Sequence, residues 1–248
     1  MLEQLPDALG EALEGVRAGL DQTLFHAIDL RSGMAAITLQ SLAFADHAPI
    51  PEKYSADGEG SSPPLHWSGV PKLATELVLI VEDADSPTPH PLVHAIAIER
   101  RSLHPPADPG SAAEEVGSGA GDMADAIASG AQVSGAFAEG AMSGTDGCDP
   151  VATMGRNSLL QAQWLPPDPP PGHGVHRFVF QLFALEAGEP LPETPGRDAV
   201  RNAIAERGLA SGCLIGTYER PSGRIDAPLS QSLAAPASAT AAPFAAAG

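Results

Sequence analysis

The segment Pro169-Pro170-Pro171-Gly172-His173-Gly174-Val175-His176-Arg177-Phe178-Val179-Phe180-Gln181-Leu182-Phe183-Ala184-Leu185 decides how this chain is read. Its first half is a loop punctuated by proline and glycine that carries ionisable side chains. Its second half, Phe178 to Leu185, is an apolar run that predicts a central β-strand. Upstream, Leu77 to Val81 (LVLIV) predicts another buried strand, and it runs straight into Asp83-Ala84-Asp85-Ser86-Pro87. A third apolar run, Leu92 to Ile98, has His94 near its head. Chemistry at strand ends is usually site chemistry, and the three elements are expected to converge on one small polar pocket.

Asp83 and Asp85 are two apart and share a face if the strand continues through them, whereas Pro87 ends the pairing. Two close carboxylates raise the pKa of one member unless a cation or donor intervenes. His94, His176 and Arg177 are the candidates for that role. Gly172 and Gly174 flank His173 and permit an unusual turn or a close approach of backbone to ligand. Two or three imidazoles oriented by a carboxylate suit a small anion. Each residue also has a plainer reading: His94 as a satisfied core histidine, Asp83 as a loop cap, Trp164 and Tyr218 as core. In a regular strand Arg177 points away from His176, which suits a structural ion pair. The alternative chemistry is a metal-dependent hydrolase with Asp83, Asp85, His94 and His176 as ligands, although no HExxH or CxxC spacing supports it. Ser86 lacks the GxSxG context of a nucleophile. The expectation is a binding protein, not an enzyme, with no cofactor.

Charge narrows the partners. Thirteen basic residues against 31 acidic ones give a net charge of −18 over 248 residues, and the only lysines are Lys53 and Lys72. A phosphate backbone needs a basic face, so nucleic acid is excluded as a partner, and an anionic membrane surface is disfavoured for the same reason. So acidic a surface suits high ionic strength. Cys148 and Cys213 show neither metal spacing nor a disulfide framework. No apolar run reaches the length of a membrane span, and the N-terminus lacks a signal-peptide pattern, so a cytoplasmic location is expected.

Along the chain, residues 1–35 are expected to hold an amphipathic helix over 5–30, with Leu5, Leu9, Leu13, Val16, Leu20 and Leu24 on one stripe. That stripe either packs on the chain's own sheet or forms the contact of a homodimer. The main domain is expected over 36–226. It is interrupted at about 105–152 by an acidic insertion rich in Gly and Ala, with a short helix near Asp122 to Ser129. From Ser102 to Gly155 there are eight acidic residues and no Lys or Arg, a composition that buries too little apolar surface to order itself. The Ala- and Pro-rich tail, 227–248, is expected to be disordered. Arg197 to Arg207 reads as a helix stopped by Gly208, and Leu214 to Tyr218 as a closing strand. Many short strands, proline-rich loops and few helices argue for a β-rich fold.

Four motifs in order, Ser62-Pro63-Pro64-Leu65-His66-Trp67-Ser68-Gly69-Val70-Pro71, LVLIVEDADSP, the histidine eleven positions after Asp83, and PPPGHGVHRFVFQLFAL, resemble the phosphatidylethanolamine-binding protein family in its bacterial and archaeal Raf kinase inhibitor-like branch. The resemblance spans about Ile37 to Arg220 without the insertion. It implies a mainly β fold, a β-sandwich of antiparallel strands with a few peripheral helices. It also implies a pocket for phosphate, a phosphoryl headgroup or a carboxylate, in a protein of a branch described as regulators of kinases or proteases. By position it assigns ligand binding to Asp83, His94 and His176, with Asp85, Asp168, Pro170 and His173 around them. The chain departs from the family pattern at Ala84, Ser86, Ala95 and Phe178. Asp168 stands where a small neutral residue is usual, and a carboxylate there is expected to weaken anion binding.

Overall fold

The unbroken apolar run at 77–81 arises because its strand is covered on both faces. In the structure, a computed structural model that describes residues 7–28, 34–101, 132–143 and 152–220, Leu77, Leu79 and Val81 face one core and Val78 and Ile80 another. A strand buried on both sides reads as continuous hydrophobicity instead of alternation.

The elements run α1 (Asp7–Leu13), a 3₁₀ turn (Leu20–Gln22), α2 (Leu24–Ala27), β1 (Ala35–Ala36), β2 (Thr38–Ser41), β3 (Ala48–Pro49), a second 3₁₀ turn (Glu52–Tyr54), β4 (Leu65–Pro71), β5 (Glu76–Asp83), β6 (Leu92–Arg100), β7 (Gln132–Phe137), β8 (Thr153–Met154), β9 (His176–Leu185), α3 (Arg197–Arg207) and β10 (Gly208–Tyr218). β1, β10, β9, β5, β6 and β8 form the larger sheet in that order, with β3 also on β10, and β2, β4 and β7 form the smaller. All pairings are antiparallel except those of β1 and β3 with β10. The main core lies between the sheets, where Leu65, Trp67, Val70 and Phe137 meet Leu79, Phe180 and Leu182. On the outer face of the larger sheet, Val200 and Ile204 of α3 and Leu24 cover Ile80, Ile96 and Phe183. The expected β-sandwich with peripheral helices is therefore observed.

Two segments differ from expectation. The described part of the supposed helix over 5–30 is broken into α1, a 3₁₀ turn and α2. Gly19 adopts φ 104°, and the backbone N–H groups of Ala18 and Gly19 donate to the carbonyls of Ser86 and Ala84. Glycine weakens helix here, and the freed backbone groups find partners on the loop after β5, so the segment becomes a strap across the sheet. Further along, the N–H of Leu24 donates to buried Glu82 and that of Phe25 to Gln181. The second difference is β7, which pairs with β4 inside the stretch read as an unstructured insertion. Its sequence, QVSGAF, has too few bulky residues to signal a strand, and Trp67 packing on Gly135 and Phe137 supplies what is missing. Residues 102–131, 144–151 and 221–248 lie outside the described residues, including Cys148, the expected helix near Asp122 and the tail.

Candidate functional site

The end of β5 and the start of β9 are neighbours, with Asp83 opposite Phe178. This brings His176 to Asp83, Nδ1 to Oδ2 at 2.7 Å. The other nitrogen of His176, Nε2, lies 2.7 Å from Nδ1 of His173, and Nε2 of His173 lies 2.8 Å from the carbonyl oxygen of Leu13. All three side chains are buried. Gly172 and Gly174, at φ 77° and 87°, turn the loop so that His173 points inward beneath His176.

This chain of contacts determines how many protons it holds. A carbonyl only accepts, so His173 donates from Nε2 to Leu13. One further proton must lie between the two rings, and another between His176 and Asp83. Two neutral imidazoles carry two protons, but three positions must be filled. Asp83, His173 and His176 together therefore carry one proton beyond two neutral rings and a carboxylate, and their net charge is zero. Burial, and then the neighbouring His176, push the His173 pKa down. Both ring nitrogens of His176 are consequently occupied.

His94 reaches the same region through a defect in the sheet. Val81 is opposite Ala95 but Glu82 is opposite Val93, so His94 is the extra residue of a β-bulge. Strict alternation from Ile96 would have sent it to the outer face. The bulge instead sets it on the inner side with Ala95, its ring edge-on to Phe178 at 5.0 Å between centroids and 6.3 Å from Trp164. His94 donates from Nδ1 to the carbonyl of Leu165 at 2.7 Å. Its Nε2 is buried and has no partner among the described residues, and the same holds for Trp164 Nε1. An unpaired buried polar group costs about 1–3 kcal/mol, so these two atoms are poised for a partner. Burial pushes the His94 pKa down and outweighs the pull of Asp83.

The remaining expected site residues are brought close but are differently employed. Arg177 grips Asp85 with Nε and Nη2, each at 2.7 Å, on the face away from His176 as its position predicts. Arg17, from the strap, adds a second contact to Asp85 at 3.1 Å and also donates to the carbonyls of His173 and Val175. Burial alone would raise the Asp85 carboxyl, but the hydrogen bonds from Arg177 and Arg17 outweigh it and hold the pKa below the usual carboxylate range. Asp168 is engaged by Arg220 at 2.6 Å, and Arg220 also binds Asp57. The expected penalty from Asp168 is thereby reduced, because its charge has a buried counter-ion. Pro170 is buried, and its carbonyl accepts the N–H of His173 to shape the loop. Ser86 Oγ sits among loop partners, near Thr88 and the Asp83 carbonyl.

The hydrolase alternative is not supported by this geometry. Asp85 faces two guanidinium groups, and the nitrogens of His176 are both hydrogen-bonded. No cluster of three or more metal-ligating side chains exists among the described residues. Sequence reasoning missed Leu13, Arg17 and Arg220. Arg17 left one trace, since it is the only Lys or Arg in residues 1–30. The close seating of α1 left another: a side chain at Gly10 would overlap the carbonyl oxygen of Pro171.

Comparison with known proteins agrees with this architecture. Residues 40–219 match the family described as phosphatidylethanolamine-binding protein. A UPF0098 protein of Mycobacterium tuberculosis is 34% identical over 183 residues, covering 74% of this chain and 70% of that protein. A second protein of that organism, bearing the name lipoprotein LppC, is 31% identical over 186 residues, covering 74% and 72%. The crystal structure of a phosphatidylethanolamine-binding protein homologue from Chlamydia trachomatis superposes with a TM-score of 0.54 at 30% identity, over 75% of this chain and 98% of that one.

Proposed function

The chain belongs to the phosphatidylethanolamine-binding protein family, and on that basis we propose that it binds a small anionic ligand, phosphoryl or carboxylate, beside His94. It acts on this reading as a regulator of a kinase or protease, not as an enzyme. The observation that carries the reading is the contrast within one cluster: Asp83, His173 and His176 are saturated, whereas His94 Nε2 and Trp164 Nε1 are buried with no partner among the described residues. Unpaired buried polar atoms beside a locked polar group are what a binding site has and a finished core lacks. Asp83 serves by fixing His176, and Asp85, Arg177 and Arg17 hold the loop that carries both.

Calorimetric titration with inorganic phosphate tests this. Binding to the full chain that weakens at least about tenfold in His94→Ala is expected, since a charge-assisted hydrogen bond contributes about 1.5–3 kcal/mol. Unchanged affinity in the variant would remove His94 from the site. No helix among the described residues is long and apolar enough to cross a membrane. We propose a cytoplasmic location, which fractionation of the producing cell would check.

A further inference from the structure

From the proton count along Asp83, His176 and His173 we infer that these three residues form an acid-operated latch: one added proton separates His173 from His176, swings the loop at 171–175 out on its glycines and frees the N-terminal strap that rests on it. The switch needs no ligand.

The three contacts hold three protons, and a fourth finds every acceptor engaged. Oδ2 of Asp83 faces His176, and Oδ1 accepts the N–H of Asp85. The Leu13 carbonyl accepts the N–H of Val16 as well as Nε2–H of His173. Between the rings a single proton bridges Nδ1 of His173 and Nε2 of His176 at 2.7 Å. Adding a proton from solvent to the second of those nitrogens sets N–H against N–H and leaves a positive charge on each ring. That contact is the one that fails. The charged and titratable groups around it come from four places. Asp83 closes β5, His176 opens β9, Arg17 comes from the strap, and His94 of β6 is near enough to His176 for the charge of one to disfavour that of the other. Asp85, in the loop after β5, is taken by Arg17 and by Arg177 of β9. Glu11 and Glu14 of the strap are exposed. Asp83 balances one ring charge, and the second is left buried beside Arg17.

The surroundings of His173 are built to give way. Gly172 and Gly174 both have positive φ, so the backbone on either side of the ring turns without the clash a Cβ would bring. Arg17 donates to the carbonyls of His173 and Val175, and α1 sits with Gly10 against the carbonyl of Pro171, so the strap is seated on the part that moves. α1 has seven residues, too few for a helix to persist alone in water, and Leu9 and Val16 on the strap are exposed. Ala18 and Gly19 stay tied to Ser86 and Ala84 by backbone bonds, which makes residues 7–16 the free end. Burial holds the His173 pKa below the usual histidine range while the latch is shut, whereas a released ring takes up its proton near pH ~6.5. Attachment is therefore complete above that pH and is lost as pH falls below it.

The test is hydrogen exchange on the full chain from pH 7.5 to 5, read by mass spectrometry and corrected for the intrinsic pH dependence of exchange, with an NMR titration of the histidine ring nitrogens alongside. Protection over residues 8–17 and 171–175 should hold above a pH of about 6.5 and fall by up to about tenfold per pH unit below it, the limit for uptake of one proton. Over the same range His173 should become doubly protonated while β5 and β10 keep their protection. His173→Leu, which removes the latch, should show low strap protection at every pH. Strap protection in the parent chain that does not change with pH, an equal loss in β5 and β10, a His173 that stays neutral to pH 5, or a His173→Leu chain that keeps the parent's pH response would each overturn the inference.

Discussion

His176 and His94 both pack against the Phe178 ring, at centroid distances of 6.4 and 5.0 Å, yet they are prepared for opposite tasks. His176 has each nitrogen committed, one to Asp83 and one to His173, and the chain of bonds ends on the backbone of the N-terminal strap. His94 has one committed nitrogen and one open. Burial and family position therefore do not by themselves make a histidine a ligand donor. What matters is which hydrogen-bond positions the fold has already filled. A saturated imidazole can hold charge and shape, whereas only the unsaturated one can meet a newcomer.

The contrast is most severely disturbed by removing what holds the saturated side from behind. Asp85→Ala leaves Arg177 and Arg17 without their shared, buried carboxylate. A loss of about 1.5–3 kcal/mol, the range of hydrogen bonds to a charged group, is expected from urea unfolding. A loss below about 1 kcal/mol, the range of an exposed ion pair, would mean that the cluster contributes little to the site's support.

Next in size is the comparison of His173→Leu with His94→Leu. The first strands His176 Nε2 and the Leu13 carbonyl and should cost about 1–3 kcal/mol. The second abandons the Leu165 carbonyl but removes an atom that was unpaired already, so it should cost clearly less. Equal losses would show that the two histidines are equally satisfied in solution.

The pH dependence of stability separates the same groups by titration. His94 and His173 both have pKa values lowered in the folded state, so the unfolded chain takes up protons first as pH falls. Their stabilising contribution is complete above the unfolded histidine pKa of about 6.5 and declines as pH drops below it, by up to ~1.4 kcal/mol per pH unit for each ring. Asp85, with its pKa lowered, acts in a separate window: its contribution is present above a pH of about 4 and is lost as pH falls further. Between pH 6.5 and 5 the melting temperature of His94→Leu should therefore fall less steeply than that of the parent chain.

The smallest effect is a control outside the cluster. Leu160 is an exposed non-glycine residue at φ 63°, in the turn whose Ser158 pairs with Val93 beside the bulge. Leu160→Gly should stabilise by about 0.5 kcal/mol, the relief of a left-handed conformation less the added freedom of the unfolded chain, with no change in ligand affinity.

Much of the frame is legible in the amino-acid sequence. LVLIV and FVFQLFAL announce buried strands, and Arg197 to Gly208 announces a helix with its stop signal. The parity of residues 176 and 177 correctly separates His176 from Arg177. β7 is not legible because glycine and alanine carry no periodic signal, and the strap is not because leucines every three or four positions look helical whether or not Gly19 breaks the run. At the site, Asp83 and His176 can be paired on paper. The saturation of His176 cannot, since it depends on a backbone carbonyl 160 positions from His173.

Which residues stand at the strand ends, and that they are acids and imidazoles, follows from sequence alone, because strand periodicity and loop punctuation are local properties. What each of them does was decided by tertiary packing. A single-residue bulge turned His94 inward, Arg220 met Asp168, and the strap closed the relay from Leu13 to Asp83. Each of the new partners comes from a distant segment, and the direction of a hydrogen bond is set by the partner that packing supplies.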